Sequence, residues 1–192
     1  MWIRDRHMTD LGDQDIALLA ATGAHVVHCP QSNMKLASGT CPVGKLLSAG
    51  VNVALGTDSA ASNNDLNMFG EMQAAALLAK LHSNDATVLP AATALTMATL
   101  AGARAMGIDD SVGSLETGKQ ADIIAVDMSQ PETQPLYHPI SQLVYACNGS
   151  QVTHSWIAGE AVMAERRLLR IDQSALTRRV ASWQTRINQT GQ

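Results

Sequence analysis

Asp58 closes the stretch Val51-Asn-Val-Ala-Leu-Gly-Thr-Asp58, a short apolar run that ends on one carboxylate. A positioned carboxylate can take a proton from an attacking water, return it to a leaving group, or help hold a divalent cation. Gly50 before the run, Gly56 near its end and two valines inside it favour a strand over a buried helical turn, although periodicity alone does not separate the two. At the carboxyl end of a parallel α/β barrel strand, Asp58 would lie on the face where such folds do their chemistry. Gly-Thr-Asp is also a common way to end a strand and cap a helix, and the local sequence leaves both readings open.

Other polar residues gather around it. Ala24-His-Val-Val-His-Cys-Pro30 is a second buried-type strand pattern, followed by Gln31-Ser-Asn33, and Ser59-Ala-Ala-Ser-Asn-Asn64 follows Asp58 directly. Ser32, Asn33, Ser62 and Asn63 are therefore candidates for binding substrate, with a role as turn formers bonded to their own backbone as the alternative. His7, in Arg6-His-Met-Thr-Asp-Leu11, is a candidate general acid–base group, against a reading as a surface or capping residue. His28 ends its strand pattern and reads as structural or supporting, whereas His25 alternates onto the other side. His82, His138 and His154 fall in segments read as surface or sheet, and Lys119 and Asp122 read as structural.

The elements that must position these residues follow from punctuation and period. Asp13 can cap a helix through Ile16, Leu18, Leu19 and Ala20 to a stop at Gly23, with the Ala24–Cys29 strand next. Val43 to Ala49 repeats the plan, with Gly50 as its stop and the Val51 strand after it, the βαβ rhythm of a parallel sheet. A long helix from about Leu66 to Leu81 places Met68, Met72, Ala75, Leu78 and Leu81 on one apolar stripe. Pro90 to Ala98 and Ala101 to Met106 read as further helices, the second closed by Gly107. Beyond it, Val112–Leu115 and Ala121–Val126 read as a β-hairpin, and Val152–Ile157 with Ala161–Ala164 as another around Gly159-Glu160. From Asp172 onward, Leu176, Val180, Trp183 and Ile187 share one face of a closing helix.

Composition narrows the class. The chain has 192 residues, 46% hydrophobic and 16% charged, which is apolar for a solvent-exposed domain and fits a piece built to be covered. A net charge of −4 argues against a nucleic-acid partner or an anionic membrane surface. No run of about 18 apolar residues and no basic-then-apolar leader is present, so neither a membrane span nor a signal peptide is expected. Cys29, Cys41 and Cys147 are odd in number and lack Cys-x-x-Cys spacing, which fits a reducing, cytoplasmic setting better than a disulfide framework.

Four segments, His28-Cys-Pro-Gln-Ser-Asn33, Leu55-Gly-Thr-Asp-Ser59, Ser62-Asn-Asn64 and Gly113-Ser-Leu-Glu-Thr-Gly-Lys-Gln-Ala-Asp122, occur in this order. Together they resemble the cyclic amidohydrolase superfamily, in its branch of adenosine-type deaminases acting on S-adenosylhomocysteine and 5′-methylthioadenosine. The likeness covers nearly all of residues 7 to 165. It implies an α/β fold: the C-terminal part of a (β/α)8 barrel, about strands six to eight, over residues 1–110, strands of a small composite β-sandwich over 111–170, and a closing helix over 171–192.

The resemblance also implies chemistry. Asp58 would hold a divalent metal, Zn2+ or another such as Fe2+, and shuttle a proton, while His7, at the end of the sixth strand, would stabilise charge beside the nucleophile. The family's His-x-His pair occurs nowhere in the chain, so most metal ligands and the purine-contacting glutamate are expected in a barrel segment outside it. The implied partner is a small purine nucleoside, with no nucleic acid and no membrane, and with the missing barrel segment or a second copy as protein partner. A triazine- or guanine-type hydrolase is the alternative in the same class, and a catalytically inactive fragment or split-protein half the alternative in another.

Overall fold

The apolar runs around Val26 and Val53 lie side by side in the computed structural model, which describes residues 8–190. β1 (Val26–His28) and β2 (Val53–Leu55) pair in parallel, with Val26 opposite Val53 and His28 opposite Leu55. Both are shorter than the predicted strands, because the ladder reaches only one residue further on each side, through Val26 N–H to Asn52 O and Gly56 N–H to His28 O. All of β2 is buried, as expected of a parallel strand covered on both faces.

α1 (Asp13–Thr22) leads into β1, and α2 (Pro30–Lys35) and α3 (Val43–Ser48) fill the crossover to β2. The cap of α1 is Gly12 rather than Asp13: the Gly12 N–H donates to the Asp15 carboxylate at 2.8 Å, and Asp13 becomes the first helical residue. Gly23, at φ 66°, stops the helix as predicted.

α4 (Met68–Ser83), α5 (Ala91–Ala98) and α6 (Leu100–Met106) pack against the strand pair. The α4 stripe is rotated from the predicted one. Met72 and Ala75 are buried, but Leu81 is 79% exposed, and the buried face is completed by Phe69, Glu71, Ala76 and Ala79. Three alanines on that face let α4 approach its neighbours closely, so close packing of small side chains outweighs the pull of a larger apolar residue at the helix end. With Leu46, Met97 and Val144 the apolar members of that face form one continuous core.

The C-terminal part is an antiparallel sheet in the order β3 (Ile123–Val126), β4 (Val152–Ile157), β5 (Glu160–Ala164), β6 (Arg167–Leu168), with α7 (Pro139–Tyr145) between the first two. The predicted hairpin between Val112–Leu115 and Ala121–Val126 does not form. Val112 N–H bonds to Ile108 O and Gln120 N–H to Ser111 O, so the first segment uses its backbone in turns after α6, and β3 pairs with β4 instead. The second predicted pair is present as β4 and β5, joined through Ala158-Gly159. Asp122 accepts the Ala158 N–H at 2.7 Å, and Lys119 donates to Ser114, both structural contacts. α8 (Gln173–Thr190) closes the chain with Leu176, Val180, Trp183 and Ile187 all exposed. Among the described residues, no helix is long and apolar enough to cross a membrane.

Candidate active site

β1 and β2 end side by side, and the segments leaving them carry the candidate residues. β1 runs through Cys29 into α2, which bears Gln31, Ser32 and Asn33. β2 runs through Gly56 to Asp58 and a loop of overlapping turns in which Ser62 and Asn63 N–H groups both bond to Ser59 O. A Cβ on Gly56 would lie 2.9 Å from Val27 and 3.5 Å from the Cys29 sulfur, so glycine is what allows the two strand ends to lie this close. Asp58 itself has φ 63°, a left-handed conformation that Asp tolerates better than most residues, and it is exposed.

Two hydroxyls converge on one oxygen of that carboxylate. Ser32 Oγ donates to Asp58 Oδ2 at 2.9 Å and Ser62 Oγ donates to the same atom at 2.7 Å. Ser59 Oγ lies 3.1 Å from Ser62 Oγ and extends the chain of hydroxyls. Ser32 and Ser62 are buried while Asp58 is exposed, so the two hydroxyls orient the carboxylate from the protein side.

The remaining candidates divide. Asn63 is 8% exposed and its amide is committed to protein: Nδ2 donates to Glu71 Oε1 at 2.5 Å and Oδ1 accepts from Leu66 N–H at 2.7 Å. Asn33 is 1% exposed, and neither side-chain polar atom has a hydrogen-bond partner among the described residues. Leaving such an amide buried and unpaired costs about 1–3 kcal/mol per group, so Asn33 is suited to a partner from elsewhere. His28 is buried at the end of β1, whereas His25 is exposed and bonds to Asn52 at 3.0 Å. His7 lies outside the described residues.

Glu71, Gln31 and Lys35 complete the surroundings and were not singled out from the sequence. Glu71 is fully buried, and burial pushes its carboxyl pKa above the ordinary value against the opposing bonds from Gln31 and Asn63. Its position three residues after Met68 and four before Ala75, inside an apolar stripe, was the available signal: a charge at a core position needs a partner. Lys35 Nζ bonds to Ala61 O and to the Asn64 side chain, tying α2 to the loop after Asp58. The Cys29 thiol is pushed up to about 11, first by burial and then by the charges of Asp58 and Glu71, so it stays protonated near neutrality.

A catalytic zinc usually takes three protein ligands. No group of three His, Cys, Asp or Glu side chains suited to a metal ion occurs among the described residues. Asp58 fits as one such ligand, held in orientation by its two serines, and it is not a centre by itself. A cavity of about 740 Å³ lined by Asp13, Ile16, Lys45, His82 and Val88 contains none of the candidate residues.

Known proteins share this arrangement of elements. The 5-methylthioadenosine/S-adenosylhomocysteine deaminase of Teredinibacter turnerae is 52% identical over 181 residues, covering 94% of this chain and 41% of that protein. A solved adenosine deaminase from Xanthomonas campestris, with bound zinc, superposes at a TM-score of 0.94 with 54% identity, over 95% of this chain and 42% of that one. An atrazine chlorohydrolase from Arthrobacter aurescens, complexed with zinc, superposes at 0.86 with 24% identity, over 92% and 39%, a likeness of fold alone. The chain thus spans about two-fifths of the length of these relatives. The model of the amidohydrolase family matches residues 3–162, more than half of the sequence, and the chain belongs to that family.

Proposed function

We propose that this chain is the C-terminal part of a metal-dependent aminohydrolase acting on adenosine-type purines, 5′-methylthioadenosine and S-adenosylhomocysteine foremost. The observation that carries the reading is Asp58, placed just beyond the end of a buried parallel strand with two serine hydroxyls aimed at one of its oxygens. The relatives named for those substrates support it at about half identity over most of this chain. In this reading β1 and β2 are the seventh and eighth strands of a (β/α)8 barrel over residues 1–110, the later strands belong to a composite β-sandwich over 111–170, and 171–192 is the closing helix.

Asp58 would be one ligand of a divalent ion, zinc by analogy with the Xanthomonas structure, which supplies a bound water acidic enough to lose a proton near neutrality. Asp58 would accept a proton from the attacking water and deliver it to the departing amino group. The C6–O bond forms, the C6–N bond breaks, ammonia leaves and a 6-oxopurine remains. Ser32 and Ser62 would keep the carboxylate facing the reacting carbon, and Asn33, whose buried amide has no hydrogen-bond partner among the described residues, would meet a substrate or barrel partner. His7 would stabilise charge as the tetrahedral centre forms.

The test uses the assembled enzyme, this chain joined to the barrel segment that precedes the matched region in its relatives. Ammonia release is measured from methylthioadenosine, S-adenosylhomocysteine, adenosine and guanine, with Asp58→Asn alongside. Asp58→Asn is expected to lower kcat at least about a hundredfold, the usual minimum for a positioned acid–base group, and to lower bound metal while the fold persists. A variant keeping more than about a tenth of parental turnover would sink the assignment.

A further inference from the structure

Glu71 is a fully buried ionisable residue that the proposed reaction does not use. It sits in the first turn of α4, and its two oxygens reach two different segments: Oε2 accepts the Gln31 N–H at 3.2 Å, and Oε1 accepts Asn63 Nδ2–H at 2.5 Å. Asn63 Nδ2 also approaches Gln31 Oε1 at 3.3 Å, and Asn63 Oδ1 holds the Leu66 N–H at 2.7 Å. Gln31 immediately precedes Ser32, and Asn63 immediately follows Ser62. The two residues gripped by Glu71 are thus the chain neighbours of the two serines that donate to Asp58 Oδ2. Taking a carboxyl group out of water is unfavourable unless hydrogen bonds replace the lost solvent, so an apolar residue at this site would pack more cheaply but could not grip both segments.

We propose that Glu71 is a positioning residue: from α4 it clamps the first turn of α2 to the loop after β2, and so sets where the two serine hydroxyls hold Asp58. This rests on Asp58 being the reactive carboxylate. The influence of Glu71 on Asp58 passes through Gln31, Asn63 and the adjoining backbone. Lys35, bridging α2 to Ala61 and Asn64, ties the same two segments on the exposed side.

The test reverses the polarity of the clamp in the assembled, metal-loaded enzyme. Glu71→Gln replaces one acceptor by an amide donor, which leaves either Gln31 N–H or Asn63 Nδ2 facing another donor. Adding Asn63→Asp repairs the mismatch: the new amide donates to the new carboxylate at position 63 and still accepts from Gln31, while the second carboxylate oxygen keeps the Leu66 N–H. Net charge returns to its original value. Glu71→Gln is expected to lower kcat about tenfold to a hundredfold, the range seen when groups supporting a reactive ligand are removed, with KM within about threefold. The double variant is expected to return to within about fivefold of the parent, a non-additivity diagnostic of a shared contact.

A purely structural role predicts otherwise: a lower Tm and yield, but parental kcat in the folded, metal-loaded fraction. That result, or a double variant no better than the single one, would overturn the proposal. If Glu71→Gln does not fold, the double variant decides. Folded with near-parental kcat, it supports the clamp; folded but more than about tenfold slower, or unfolded, it overturns it. Asp58→Asn run in parallel separates the two claims. An active Asp58→Asn sinks the functional reading, whereas an inactive Asp58→Asn beside an unaffected Glu71→Gln sinks only the clamp.

Discussion

Asp58 draws its orientation from two hydroxyls that are 26 residues before it and four after it in the chain. A hydrogen bond to a charged group contributes about 1.5–3 kcal/mol, and each serine is buried against the carboxylate it serves. Ser62→Ala and Ser32→Ala are each expected to lower kcat of the assembled enzyme about tenfold or more and to lower Tm by a few degrees, as steady-state kinetics and thermal melts would show. Unchanged kcat in both would mean that neither hydroxyl orients a reacting group. The buried thiols report on a different property. Cys41 is pushed from 9.0 to about 12 by burial, then by Cys29 beside it, so the folded protein keeps a proton that the unfolded chain releases. The stability from that protonated thiol is fully present below the unfolded value of 9.0 and is lost as pH rises towards about 12. Between pH 9 and 11 the melting temperature should therefore fall more steeply in the parent than in Cys41→Ala, and parallel slopes would refute this. Asp58, Ser32, Ser62 and Asn33 were legible as candidates from their place after strand patterns. Glu71 was not, because a helical stripe is read by its apolar members, and its burial depends on donors contributed by α2 and the loop after β2.

At the scale of elements, the hairpin between β4 and β5 has a two-residue turn with Ala158 at φ 50° and Gly159 at φ 80°. Such turns match the twist of the strands they join, and both central residues must adopt positive φ. Gly159 does so freely, but Ala158 carries a Cβ that disfavours it. Replacing Ala158 by Asn, a residue enriched at this turn position, is expected to stabilise the protein by about 0.5–1 kcal/mol, read as a rise in Tm with activity unchanged. A drop in Tm would indicate that the Asp122 bond to the Ala158 N–H governs the turn instead. The hairpin was predictable because its partners are adjacent in sequence and the turn is short. The pairing of β3 with β4 was not, since more than twenty residues and α7 intervene, and Val112–Leu115, near in sequence, looked the better partner. Pairing followed packing rather than proximity.

For the whole molecule, β1 and β2 form a two-stranded parallel pair whose outer edges have no strand partner among the described residues, and the stripe of α8 is exposed. An unpaired strand edge is a template for pairing with another chain, and exposed apolar surface invites association. The 192-residue chain by itself is expected to retain well under one zinc per chain after dialysis and to bind a dye for exposed apolar surface, whereas the assembled enzyme retains the metal. Elemental analysis and dye fluorescence check both. Stoichiometric zinc in the isolated chain would contradict the assignment of Asp58 as its lone ligand and would direct attention to His25, His28 and Cys29.

The sequence by itself determined the family likeness, the order of the strand and helix segments around the candidate site, and the placement of Asp58 just beyond a buried strand. These are local properties: glycine stops, apolar runs and short motifs act over a few residues and need no knowledge of distant partners. Tertiary structure alone decided which groups meet there. Ser32 and Ser62 share one oxygen of Asp58 because β1 and β2 are in parallel register and Gly56 lets their ends close up. Asn63, expected to face substrate, turns inward because Glu71 is buried and must be hydrogen-bonded. A polar side chain's role is set by which donors and acceptors the packed elements bring within reach, and that information is spread over the chain rather than held at any one position.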